Sequence, residues 1–225
     1  MKKGKGKRGS HVGVIASFSI FILFLIGIYL ATQPGFETQT DKKTIVQYLK
    51  TELTDRFSSN LTIAIIKPGT NCSTITKTSL GIQSQDFSIA KDVDGNSVGV
   101  KYVLNNLIVD SGNEPIWVYY SESKLNNISA GSSSCPTPQI ESIRKDKEIF
   151  EEKVTESIMN FSSFQNSLNV PDGTDFDIGF EFDNGSVISS GQKEISGDIY
   201  SEEIYVRYVN DNADILSGKI IITVY

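Results

Sequence analysis

From Val12 to Thr32 the chain carries no charged residue. As an α-helix rising about 1.5 Å per residue, this run is about 31 Å long, close to the roughly 30 Å hydrocarbon core of a bilayer. Leu, Ile, Phe and Val dominate it, and Ser17 and Ser19 can bond back to their own helix. A secretory apolar region is typically about 7–15 residues, so this one is too long for a conventional removable signal. Its end also lacks a small-x-small cleavage site: Ala31 is small, but Tyr29 two residues earlier is bulky. The run predicts a transmembrane helix over 12–32.

Lys2, Lys3, Lys5, Lys7 and Arg8 precede the run, and glycines at 4, 6 and 9 keep this head flexible. Excess basic charge stays on the cytoplasmic side. The expected topology is therefore single-pass at the cell membrane, with a cytoplasmic N-terminus and an extracytoplasmic C-terminal domain. The bilayer is the first expected partner. The head reads as an orientation signal, with contact to anionic lipid as the alternative.

Removing the head's five basic residues from the 21 Lys and Arg leaves sixteen against 27 Asp and Glu, a net charge of −11. An acidic ectodomain of this kind is soluble and a poor nucleic-acid binder, so no nucleic-acid partner is expected. Its Val, Ile, Phe and Tyr content argues against disorder, and its length suffices for one domain with a core or two small ones.

Lys7-Arg8-Gly9-Ser10 opens the apolar helix. This arrangement resembles the class III signal of archaeal type IV pilin-like membrane-anchored surface proteins. The resemblance covers the first thirty residues and the order of parts. It implies cleavage between Gly9 and Ser10, retention of the apolar helix on the mature protein, and packing of that helix into a filament core. The implied partners are homo- or hetero-oligomeric pilin-like subunits. Two features depart from the family: Ser10 stands where a glutamine is common, and no acidic residue follows within the helix. An uncut signal anchor remains the alternative.

Cys72 and Cys135 are the only cysteines. In an exported domain they are a candidate disulfide, whose closure would contribute about 4 kcal/mol by chain entropy. The alternative is two buried thiols, and their number and spacing do not suggest a metal site. Asn60, Asn71, Asn127, Asn160 and Asn184 each head an Asn-x-Ser/Thr acceptor for glycosylation.

Pro34 followed by Gly35 predicts a helix break. Helical spacing then resumes, with Ile45, Val46, Leu49, Leu53 and Phe57 on one stripe. Beyond it, alternation of period two predicts strands at "LTIAIIK", "STITKTSLGI", "VDGNSVGVKYVL" with a turn at Asp94-Gly95, and "EPIWVYYSES" with Trp117 buried. The loop-like 129–138 precedes a predicted helix, "KDKEIFEEKVTESIMNFSSFQNSL", and strands return at "TDFDIGFEFDNGSVI", "EEIYVRYV" and "GKIIITVY".

The resulting expectation is α+β: an N-terminal transmembrane helix with an amphipathic extension, then an exported antiparallel strand-rich domain with one further helix. The divisions are a basic cytoplasmic head (1–11), the transmembrane helix (12–32), an amphipathic helix (33–58) and an exported domain (59–225). Residues 129–138 mark a candidate division of the last into two β-rich halves.

Chemistry is sparse. Asp175, Asp177, Gly179, Glu181 and Asp183 fall on one strand face, opposite Phe176, Ile178, Phe180 and Phe182. Such a carboxylate row could hold Ca²⁺, but a half-buried strand with a solvated face produces the same pattern. "DVDGN" begins like a Ca²⁺ loop, but its glycine is fourth and the twelfth residue from Asp92 is Val103, so it reads as a tight turn. The only histidine, His11, sits at the edge of the apolar run and cannot serve a catalytic centre in the ectodomain. No enzyme activity, metal or cofactor is expected. The expected function is an extracytoplasmic structural protein, a pilin-like subunit assembling through its apolar helix. The alternative is a monomeric tethered receptor or adhesin.

Overall fold

The computed structural model describes residues 9–81, 87–110, 112–131, 135–171, 174–191 and 199–225; within the first helix, side chains are described over 13–29 and from 41 onward. These residues form a strand-rich α+β fold. The chain divides into two compact units, Met1–Ile45 and Val46–Tyr225.

Helix α1 spans Gly9–Phe57. It passes through position 34, where a break was expected. Proline in a helix interior costs about 3 kcal/mol but does not forbid the helix, and helix-compatible sequence lies on both sides.

The transmembrane helix expected over 12–32 needs correction. Among the described residues, no helix is long and apolar enough to cross a membrane.

In the second unit the end of α1 buries Val46, Leu49, Leu53 and Phe57 completely, four of the five residues of the expected stripe. Ser58 follows without a loop, and its Oγ donates to the Thr54 carbonyl at 2.5 Å.

Strand β1 (Ser58–Lys67) lies inside a nine-stranded sheet. The other strands of that sheet are β3 (Phe87–Lys91), β4 (Ser97–Val98), β7 (Ile116–Ser121), β8 (Gln139–Phe150), β9 (Phe176–Glu181), β10 (Val187–Ser189), β11 (Tyr200–Val209) and β12 (Ile215–Val224). Their order is β10-β9-β12-β11-β8-β1-β7-β3-β4. Strands from both sides of 129–138 therefore share one sheet. Pairing is antiparallel except between β8 and β11, which meet in parallel at Tyr208–Ile149 and Val209–Phe150. A second sheet, β2-β6-β5, is built from Cys72–Thr76, Asn106–Asp110 and Val100–Val103.

One further helix was expected; the described residues hold three. Helix α2 (Lys77–Leu80) interrupts the strand expected across "STITKTSLGI" and ends at Gly81, whose φ of +68° suits a residue without Cβ. Helices α3 (Glu151–Met159) and α4 (Phe161–Ser167) cover only the later part of the helix expected from 145. Residues 145–150 belong to β8, where Asp146 pairs with Leu61 and Ile149 with Ser58. Ile149 and Phe150 satisfy either period, and the long pairing with β1 decides for the strand. Helix α3 then starts with Glu151 and Glu152, which suit the positive end of its dipole.

Two apolar clusters sit on the central strands. One joins Ala64, Ile66, Val118 and Tyr120 to Ile75, Leu107 and Val109 of the small sheet. The other gathers Leu61, Ile63, Ile89, Leu125, Phe150 and Val209, with Trp117 and Tyr119 packed against it. Trp117 is half-buried rather than buried.

Candidate functional site

The feature least accounted for by its own fold is the apolar part of α1. Every described side chain from 13 to 29 is exposed. Twelve of them are large and apolar, among them Phe18, Phe21, Leu23, Phe24, Leu25 and Ile26. They surround the helix rather than forming a stripe. A helix that is apolar all round is a buried helix. At about 1.5–3 kcal/mol per side chain, full cover of twelve such residues corresponds to at most about 20–35 kcal/mol. Gly9, one side of the expected cleavage point, is the first residue of α1. The Ser10 side chain and the basic head lie outside the described residues.

Cys72 and Cys135 form a disulfide with Cα atoms 5.5 Å apart. It ties the loop after 134 to the start of β2, where the Thr74 amide also donates to the Pro136 carbonyl at 2.9 Å. A nearby clasp holds the loop before it. The Asp110 amide donates to the Gly99 carbonyl, and Asp110 Oδ2 accepts from the Gly131 amide, both at 2.8 Å.

Asn60, Asn71, Asn127, Asn160 and Asn184 are all exposed. They are dispersed: Asn60 on β1, Asn71 before β2, Asn127 before the 129–138 loop, Asn160 between α3 and α4, and Asn184 in the β9–β10 turn.

The acidic strand has the expected sidedness, with Phe176, Ile178 and Phe180 buried. Its carboxylates are dispersed among separate partners. Asp177 accepts from the Tyr225 hydroxyl at 2.6 Å and from Ser190 Oγ at 3.2 Å. Glu181 meets Lys219 Nζ at 2.8 Å, and Lys219 also reaches Glu203 at 3.2 Å. The two carboxylates hold the lysine above its usual range, against partial desolvation. Among the described residues, no group of three or more His, Cys, Asp or Glu could hold a metal ion. Asp92 is used inside its turn: Oδ1 accepts from the Asn96 amide at 2.8 Å and the Asp94 amide at 3.0 Å. Hydrogen bonds from Asn96 and these amides lower its carboxyl pKa.

Two relationships were invisible to sequence reasoning. Lys91, on β3, is buried against Asp214, and Tyr225 caps Asp177. Each joins residues more than forty positions apart, and only sheet order brings them together.

No family model matches this chain, and no curated protein or solved structure matches it either.

Proposed function

We propose that this chain is a structural subunit of an extracytoplasmic surface assembly, held to other subunits through its apolar stem. The observation that supports this reading most is the stem, exposed and apolar on all sides over 13–29. Stems of neighbouring subunits are the cover the proposal assigns to it. Such cover is driven by apolar burial and close packing and needs no specific polar contact. The disulfide and the five exposed Asn acceptors suit an oxidising compartment outside the cytoplasm.

The resemblance at Lys7-Arg8-Gly9-Ser10 supplies the processing step. A cut after Gly9 removes all five basic residues of the head and leaves the helix with an uncharged, apolar start. The proposed order is export, removal of the head, then assembly.

N-terminal sequencing of the purified protein tests this. The expected mature residue is Ser10, and Gly9→Leu should yield an uncut form that fails to enter sheared surface fractions. A wild-type protein that keeps its head and stays monomeric would instead favour the tethered receptor.

A further inference from the structure

We propose that the outer face of the central strands β7, β1 and β8 carries a binding site for an acidic saccharide, independent of the apolar stem. The site is set by strand register. Trp117 on β7 stands opposite Ile65 on β1, which stands opposite Ser142 on β8. Two residues along each strand, Tyr119 stands opposite Ile63, which stands opposite Arg144. Two parallel rows, each running aromatic, isoleucine, polar, therefore lie side by side. Ile215 at the start of β12 borders one side of an open hollow of about 300 Å³.

This composition has a chemical meaning. The volume is at the small end of the usual ligand range of about 300–1,000 Å³. Two half-buried rings at i and i+2 offer an apolar floor about 7 Å long, wide enough for the C–H face of one pyranose ring. Ser142 and Arg144 stand at one end of the two rows, where ring hydroxyls and a carboxylate would lie. Among the described residues that line the cavity, Arg144 alone is charged. Its Nε meets Asp146 at 2.6 Å, which leaves the terminal nitrogens of the guanidinium fork as donors, and its side chain is 64% exposed. The proposal assigns an anionic group to those donors, where a guanidinium can bind it through charge-assisted hydrogen bonds. The site stands on interior strands of the nine-stranded sheet, which hold the backbone beneath it in register.

Trp117 is the sole tryptophan, so its emission reports this site alone. The test uses the full chain in a zwitterionic detergent without a sugar headgroup, titrated with oligogalacturonate and, separately, with a neutral glucose oligosaccharide. The expected result is a saturable emission change with the uronate and a weaker response to the neutral sugar. Arg144→Gln should weaken uronate binding about tenfold or more, and Arg144→Lys should restore part of it. The proposal is overturned if neither sugar gives a saturable change, or if Arg144→Gln leaves uronate binding intact. It is also overturned if emission shifts with protein concentration in the absence of sugar, which would mean that a second copy covers the site.

Discussion

Lys91 places its ammonium 2.5 Å from the Asp214 carboxylate, joining strand β3 to the β11–β12 turn across 123 positions of sequence. The lysine side chain is 8% exposed and the aspartate 48%. The two losses should therefore differ. Asp214→Asn leaves a buried ammonium with a weaker partner and should cost about 1–3 kcal/mol. Lys91→Met leaves a carboxylate that water can reach and should cost less. Urea unfolding followed through Trp117 emission measures both.

The same pair contributes an acid limb. Burial would raise the Asp214 pKa, but hydrogen bonds from Lys91 and Asn210 and the lysine charge carry it below its ordinary value. A depressed carboxyl pKa stabilises the fold above the unfolded value of about 3.9 and loses that contribution as pH falls through the folded one. Asp214→Asn should flatten the decline in stability below about pH 4. An unchanged acid limb in the variant would contradict this.

Tyr225 behaves in the opposite sense. Burial, with the hydrogen bond to Asp177 and its negative charge, raises the phenol pKa to about 12. The neutral phenol is the form the fold favours, so its contribution is complete below about pH 10 and is lost as pH rises towards 12. Burial also raises Tyr119 and Tyr208, so spectrophotometric titration of phenolate should show several late-titrating tyrosines, and Asp177→Asn should move Tyr225 alone towards the ordinary range.

Gly99 sits where a Cβ would come within 2.7 Å of Asp110 Oδ2, 2.9 Å of the Ala130 Cα and 3.2 Å of the Ser129 carbonyl oxygen. Two of these three are backbone atoms of the loop that Asp110 clasps, so relief requires the loop to move. Gly99→Ala should destabilise the chain by about 1–3 kcal/mol. It should also speed amide exchange at Gly131, whose N–H is held by Asp110.

The Cys72–Cys135 bridge closes a separation of 63 residues. Replacing both cysteines by serine should lower stability by about 4 kcal/mol on the chain-entropy account. Non-reducing peptide mapping should recover the linked pair, and two alkylatable thiols in the isolated protein would contradict the bridge.

Much of the strand-rich body is legible where one strand face is solvated. Phe176, Ile178 and Phe180 alternate with polar neighbours, and their burial follows from that alternation. Val46, Leu49, Leu53 and Phe57 are equally readable at helical spacing. The reading fails where two periods fit the same residues. Lys145–Phe150 satisfies a helix, and pairing with β1, joined by β11 at Ile149 and Phe150, makes it strand. It fails again where one local signal is weighed alone, as at Pro34, which α1 passes through. Trp117 is half-buried because one face of β7 fronts a cavity instead of a second layer. The rows Trp117–Ile65–Ser142 and Tyr119–Ile63–Arg144 depend on strand order and register, which no local pattern encodes.

The central claim is assembly through the apolar stem. Sedimentation and negative-stain microscopy of sheared surface fractions test it most directly, comparing wild type with Phe21→Lys. Phe21 is exposed on the stem. The account predicts oligomers or filaments containing the wild-type chain and a variant shifted to monomer while its Trp117 emission stays unchanged. A wild-type chain that sediments as a monomer, or a variant that assembles as well as wild type, would contradict it.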